Sequence, residues 1–281
     1  MLRTKNYYVK ETHKKTWKVR DMIYNSISLE MKPCDIKNFK RNRAAELTRL
    51  YEILRDKFHF NSSDITPIKT ASEQIMKAQD NGLATWGYSI SNLIFPIATT
   101  RHIIPKGLIV RVKINCDLQG NILNWIHNND VSSYICRFSF TIYGDLNGEK
   151  YSICWHIDCD KDSKSDEYHP LYHLHYSDGT EHLGQKNIDF QWGNAIYLDC
   201  PRITHYPLDL ILGIGFYCTN FQYKGLFDKL IADPLFGKLY RQSQDAILKP
   251  YFYNLAAHWN DDLRKTLIWK SSSDLCPILI N

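Results

Sequence analysis

Three stretches in the middle of the chain alternate apolar and polar residues, and this period of two constrains the fold more than any other feature. They are LIVRVKINC (108–116), SYICRFSFTIY (133–143) and YSICWHID (151–158). Such alternation indicates β-strands with one buried face. The segment GDLNG (144–148) joins the last two stretches and is typical of a hairpin turn. We therefore expect a central antiparallel sheet, with further strands in YHLHY (172–176) and NAIYLDC (194–200). The short apolar run LILGIGFYC (210–218) is expected to be a buried strand, with the start of a buried helix as the alternative.

Apolar residues recur at helical spacing in the first part of the chain. Pro33 followed by Asp35 predicts a helix start with Asp35 as the N-cap, and the helix is expected to end near Ser62. A second, short helix is expected over residues 70–80. Basic residues take much of the other face of the first helix, which predicts a basic exposed face made of Lys40, Arg41, Arg43, Arg49 and Arg55.

Helical spacing returns after Asn220, with an interruption at Pro234 and a last helix over residues 245–267 that breaks near Pro250. The predicted fold class is α+β: N-terminal helices, a central antiparallel sheet that could be of the jelly-roll type, and C-terminal helices. The expected regions are a basic helical region (1–100), an antiparallel β core (101–220) and C-terminal helices (221–281) that pack on the core in one compact unit.

Composition places the chain among globular proteins. It has 281 residues, of which 44% are hydrophobic and 23% charged, and both fractions are near the globular average. The longest apolar run is shorter than the roughly 20 residues of a membrane-spanning helix. The N-terminal sequence MLRTKNYYVKETHKK is polar and basic, so we expect a cytoplasmic protein without a membrane partner. The eight cysteines form no CxxC pair and are expected to be reduced core residues.

Charge is distributed unevenly along the chain. Residues 1–60 hold 15 Lys and Arg against 7 Asp and Glu, a balance of +8, whereas residues 151–210 hold 4 against 10, a balance of −6. A basic surface attracts phosphates or acidic proteins. Our first functional hypothesis is therefore an accessory or binding protein that contacts a protein partner or nucleic acid through Arg41, Arg43, Arg49 and Arg55.

Four of the eleven histidines fall within HPLYHLHYSDGTEH (169–182). On a strand, His173 and His175 point to the same face because side chains alternate. Glu181 follows shortly after, and His205 comes from a later segment. Two neighbouring imidazoles, a carboxylate and a distant histidine are suitable ligands for a divalent Fe, Mn, Ni or Zn ion. The alternative hypothesis is therefore a metal-dependent enzyme that uses these four residues.

The same residues resemble the metal-binding motifs of the cupin family. His173-Leu174-His175 with Glu181 is similar to the first cupin motif, and Gly193, Pro201 and His205 are similar to a longer form of the second. The resemblance implies that the family's metal roles fall on His173, His175, Glu181 and His205. This chain lacks the glycine that precedes the first histidine in that pattern.

A second set of candidate ligands overlaps the first. His156-Ile157-Asp158 is a His-x-Asp sequence on the polar face of its predicted strand. With His205 as the third residue, it resembles the facial triad of the iron- and 2-oxoglutarate-dependent oxygenases, which have a jelly-roll fold. Those enzymes hold the oxoglutarate carboxylate with a basic residue soon after the distal histidine, whereas here the next basic residue is Lys224.

The sequence lacks the motifs of several other classes of enzyme. The phosphate loop GxxxxGK[ST], the dinucleotide fingerprint and the GxSxG elbow are missing, so we expect no nucleotide cofactor. Histidine and carboxylate clusters also serve metal-free acid–base chemistry. The composition, rich in Lys, Tyr and Asn, is similar to that of uncharacterised bacterial proteins from mobile or phage-defence loci. On sequence alone, the binding hypothesis ranks ahead of the enzyme hypothesis.

Overall fold

In the part of the chain that the structure describes, six β-strands form one antiparallel sheet in which each strand pairs with its neighbours in chain order. The strands are β1 (Thr85–Pro96), β2 (Ile109–Asn121), β3 (Ile135–Leu146), β4 (Glu149–Cys159), β5 (Tyr172–Ser177) and β6 (Ile203–Thr204). The predicted antiparallel sheet is confirmed. A jelly roll needs two sheets, and the strands that the structure describes form a single meander.

The structure is a computed structural model that describes residues 33–77, 85–98, 106–122, 134–159, 170–177, 203–260 and 275–279. The predicted strand over residues 194–200 therefore lies outside the described residues. Backbone contacts separate the chain into Met1–Lys37 and Asn38–Asn281. The second unit contains all six described strands. The first of them begins at Thr85, whereas the β core was predicted to begin at residue 101.

Helices precede and follow the sheet, which confirms the predicted α+β class. They are α1 (Pro33–Glu52), α2 (Ser62–Lys77), α3 (Leu210–Phe221), α4 (Lys224–Ala232), α5 (Pro234–Ser243) and α6 (Lys249–Ala256). Two π-helical turns, Ile53–Lys57 and Gln244–Leu248, continue α1 and α5. Among the helices that the structure describes, none combines the length and the apolar character that a bilayer span requires.

The hairpin between β3 and β4 forms where the sequence predicts it. Leu146 pairs with Glu149, which leaves Asn147 and Gly148 as a two-residue turn. Both turn residues have positive φ, 57° and 84°, as a type I′ turn requires. The side chain of Asp145 accepts a hydrogen bond from the Gly148 amide at 3.1 Å. This tight turn sets the register of β3 against β4.

One face of the sheet is covered by helices, and we call it the helix-covered face. Phe140 of β3 contacts Phe216 of α3, with 4.8 Å between ring centroids, and Trp155 of β4 contacts Phe221, with 5.8 Å. Trp86 of β1 contacts Phe39 of α1 at 5.9 Å. The alternation seen in the sequence of β2 and β3 therefore places apolar residues at every second position, such as Ile114 and Phe138, in the core.

The strand prediction preferred for LILGIGFYC is wrong, and the alternative of a buried helix is confirmed, because the structure shows helix α3 (Leu210–Phe221). Asp209 caps this helix by accepting a hydrogen bond from the Leu212 amide at 2.9 Å. The helix is buried on most of its circumference, so it lacks the polar stripe that normally reveals a helix in sequence. A short apolar run cannot distinguish the two structures by its periodicity.

The N-terminal helices differ from the prediction in their boundaries and in their basic face. Helix α1 begins at Pro33, so Asp35 lies in its first turn and is not the N-cap. Helix α2 (Ser62–Lys77) begins before the predicted residue 70, and residues 78–80 of that prediction lie outside the described residues. Lys40 and Arg43 are 6% and 5% exposed, so neither belongs to an exposed basic face.

Arg43 is the centre of a buried polar network that joins three helices. Its Nη2 atom lies 3.4 Å from Oδ2 of Asp209, and its Nη1 atom donates to Glu46 at 2.6 Å. Ser243 of α5 donates to the same Asp209 oxygen at 2.7 Å. The guanidinium also lies over the ring of Trp86, 4.9 Å from its centroid. Asp209 is fully buried, so this network replaces the hydration that each charge loses.

The predicted C-terminal helices are confirmed as far as the structure describes them. Asp233 caps α5, and Pro234 follows at the first helical position, where its missing N–H breaks no hydrogen bond. The predicted break near Pro250 corresponds to the π-helical turn that ends at Leu248. The last helix ends at Ala256, before the predicted end at residue 267, and residues 261–267 of that prediction lie outside the described residues. The seven described cysteines form no disulfide with one another, and five of them are buried.

Candidate metal centre

The face of β2–β5 opposite the helix-covered face carries polar residues in rows that cross the strands, and we call it the polar face. One row runs through Asn115, Ser139, His156 and His175, which are paired in register. The next row runs through Asp117, Arg137, Asp158, His173 and Thr204. The histidines and the aspartate of β4 and β5 therefore lie side by side.

The described residues contain one group of three candidate metal ligands, which we call the triad: His156, Asp158 and His175. One ligand atom from each side chain lies within 4.8 Å of the others. Nε2 of His175 is 3.2 Å from Oδ2 of Asp158, and the rings of His156 and His175 are stacked with 5.0 Å between their centroids. All three residues are partly buried, and the side chains of His175 and Asp158 are 33% and 30% exposed.

The His156 ring contacts a buried polar pair on its own face. Nε2 of His156 is 3.3 Å from Sγ of Cys154, and that sulfur is 3.2 Å from Oγ1 of Thr141. An imidazole has two nitrogens, so a ligand histidine can bond to a neighbour through one and to a metal through the other. Contacts of this kind fix the ring orientation before any ligand binds.

His173 lies beside the triad but faces a different partner. It is 4% exposed, and its ring centroid is 5.6 Å from that of His175. Its Nδ1 atom lies 3.2 Å from the carbonyl oxygen of Pro170, and since a carbonyl only accepts, Nδ1 carries the proton. His173 is therefore an oriented neighbour of the three grouped ligands.

The structure does not bring His205 together with His173 and His175. Its ring packs on Phe216 of α3, which belongs to the helix-covered face, with 5.7 Å between centroids. Nδ1 of His205 donates to the carbonyl oxygen of Tyr206 at 2.7 Å. Burial of this ring lowers the pKa of His205 below its ordinary value. The remaining residues of the cupin-like set, Glu181, Gly193 and Pro201, lie outside the described residues.

Two imidazoles and one carboxylate make a ligand set suited to divalent transition metals. This combination is the facial triad of non-haem iron sites, and it leaves coordination positions for water or substrate. Imidazole and carboxylate also suit Mn, Ni and Zn ions. The residues present therefore fit the metal ions that the sequence predicts, with His175 as the second histidine in place of His205.

The candidate phosphate-binding arginines have different surroundings. Arg41 and Arg49 are exposed on α1. Arg55 pairs with the carboxylate of Asp56 at 2.5 and 2.8 Å and also lies over Tyr51. Arg43 is buried in the network with Asp209 and cannot reach a phosphate group. The basic face is thus narrower than the sequence indicates.

Sequence reasoning did not connect the polar neighbours of the triad with it. Ser139, Thr141 and Arg137 share the polar face because they alternate with Phe138 and Phe140. The alternation itself carried that signal, since polar residues at every second position of β3 must face the polar residues of β4. Nothing in the sequence shows the register between β4 and β5, on which the pairing of His156 with His175 depends.

Comparison of this chain with protein-family models, curated proteins and solved structures finds no match. A bacterial origin and a role in phage defence therefore stay predictions. The functional argument depends on the geometry of the chain alone.

Proposed function

We propose that this protein binds a divalent transition-metal ion through His156, Asp158 and His175 and acts as a metal-dependent enzyme. The observation that carries this proposal is the convergence of three ligand atoms within 4.8 Å of one another. The three side chains come from two paired strands, β4 and β5, so the sheet itself holds them in place. A site on regular strands is positioned more accurately than one on loops.

The surroundings of the triad support a binding role over a chance cluster. The ligands are partly buried, and outside the triad His156 contacts the sulfur of Cys154 at 3.3 Å. A divalent ion at this point would act as a Lewis acid and lower the pKa of a bound water. Asp158 would supply the negative charge that a cation needs, and the neutral imidazoles would orient the ion.

The alternative of a binding protein with a basic surface receives less support. It depends on exposed arginines, and the burial of Arg43 and the pairing of Arg55 leave Arg41 and Arg49 to act alone. Exposed charges at that density are common on helices without a partner. For this reason we rank the metal hypothesis first.

The direct test is metal content. Protein stripped with a chelator is reloaded separately with Fe(II), Mn(II), Ni(II) and Zn(II), desalted, and measured by elemental analysis. We expect about one ion per chain for at least one of the four metals, and less than about a tenth of that in the His156→Ala/His175→Ala variant, since two of the three ligands are lost.

A His258→Ala variant is the matched control, because this histidine lies after α6 and outside the triad. It should load metal as the unmodified protein does. Circular dichroism checks that every variant is folded. Absence of stoichiometric metal in the unmodified protein, or full loading of the double variant, would refute the proposal.

A further inference from the structure

Arg137 is the positively charged side chain nearest in register to the triad. It lies on β3 directly opposite Asp158 of β4 and on the same polar face. Residues paired in this way have Cβ atoms about 4.5–5.5 Å apart, and an arginine side chain is longer than this separation. The guanidinium can therefore reach a molecule bound at the triad.

The Arg137 side chain is exposed, and within the described part of the chain it forms no hydrogen bond or ion pair. Its neighbours in register are two carboxylates, Asp117 on β2 and Asp158 on β4. The other described arginines near this sheet differ in this respect, since Arg43 is paired with Asp209 and Arg111 with Asp64. Five guanidinium donors are thus available on the polar face beside Asp158.

Charge favours an anion at this position once a metal is bound. A divalent ion with one carboxylate and two neutral imidazoles has a net charge of about +1. The guanidinium adds a further positive charge that persists at every physiological pH. Asp117 pairs with Arg137 on the side away from the triad, and its negative charge offsets part of this positive charge. A planar guanidinium matches the geometry of carboxylate and phosphate oxygens.

We propose that the polar face binds an oxyanion-bearing substrate, a carboxylate or a phosphate, with Arg137 holding the anionic group next to the metal. This inference rests on the proposed metal function, because the bound metal would fix where the reacting end of the substrate lies. The anion contact itself belongs to Arg137 and can be measured with or without a metal ion.

The test uses two probes, oxalate and inorganic phosphate, titrated calorimetrically into full-length protein with and without the loaded metal. We expect at least one probe to bind, and Arg137→Met to weaken its affinity by about tenfold or more, since a charge-assisted contact is lost. The two probes are compared in the metal-free protein, because oxalate also chelates divalent metals, and the tighter probe there indicates whether the substrate is a carboxylate or a phosphate. Arg137→Lys should restore part of the affinity, because it restores the charge without the planar donors.

Arg111→Met is the matched control. Arg111 also lies on the polar face, on strand β2. It is six positions from Asp117, the residue opposite Arg137, which corresponds to about 20 Å at about 3.4 Å per residue. Its loss should leave anion affinity unchanged. Equal affinity in Arg137→Met and the unmodified protein, or no binding of either probe, would overturn the inference. If no metal binds but phosphate affinity still depends on Arg137, the metal function fails and the anion site stands.

Discussion

The carboxylate of Asp158 and the imidazole of His175 lie 3.2 Å apart on neighbouring strands, although 17 positions separate them in the chain. The register that pairs Asp158 with His173 and His156 with His175 creates this contact. It brings a His-x-Asp sequence and a His-x-His sequence onto one face. The contact orients two candidate ligands before a metal arrives, which reduces the cost of ordering them.

Replacing the carboxylate tests the charge requirement of the site. Asp158→Asn keeps the shape of the side chain but removes its negative charge. We therefore expect metal affinity to fall by about a hundredfold or more, which is a larger loss than removal of a residue that only hydrogen-bonds to a ligand would cause. Competition with a chromophoric chelator measures this change. Asp117→Asn, on the same face but outside the triad, should retain the affinity, and a matching loss there would indicate a general charge effect.

Asp209 is expected to be the most sensitive N-cap in the described helices. Asp209→Ala removes the cap of α3 and leaves the buried Arg43 charge with Glu46 alone, so we expect a loss of about 3–5 kcal/mol in the free energy of unfolding. Urea denaturation provides the measurement. Asp233→Ala removes the cap of α5 at a less buried position and should cost about 1 kcal/mol. Equal losses would mean that the Arg43 network contributes little.

Gly213 allows α3 to approach the sheet. A Cβ atom at this position would lie 2.7 Å from a ring carbon of Phe138, so we expect Gly213→Ala to destabilise the protein by about 1–3 kcal/mol through overpacking. Gly225→Ala in α4 is the control, because its nearest neighbour would be 3.4 Å away. There the higher helix propensity of alanine should give a gain of up to about 1 kcal/mol. Thermal unfolding of both variants decides between the two effects.

His205 should make stability depend on pH. Burial lowers its pKa in the folded state, so the unfolded chain takes up a proton first as the pH falls. The free energy of unfolding should therefore be highest above about pH 6.5, the ordinary histidine value, and fall as the pH drops below it. Urea midpoints at pH 7.5 and 5.5, measured with chelator present, should differ less in His205→Asn than in the unmodified protein. An unchanged difference would contradict this assignment.

Much of the sheet could be predicted from alternation, and the exceptions have local causes. Strand β1 was not predicted, because its alternation is interrupted between Ile90 and Leu93, where the register shifts and Asn92 adopts a φ of 61°. A bulge of this kind moves the following side chains by one position. The strand prediction for α3 failed because its burial removes the polar stripe of an ordinary helix.

The candidate site could be predicted only in part. Both histidine-containing strands were recognised, but the connection between β4 and β5 does not determine their register, and a shift of one residue would place the histidines on opposite faces. The burial of Arg43 had a visible signal. It lies four positions after Phe39 and four before Leu47, on the apolar side of its helix.

The most direct test of the metal site is anomalous diffraction from crystals of the reloaded protein, recorded at the absorption edge of the bound metal. We expect one peak within coordination distance of His156, Asp158 and His175, about 2.0–2.2 Å from the nitrogen and oxygen atoms for a zinc ion. A peak bounded by other residues, or crystals of loaded protein without a peak at these three side chains, would contradict it.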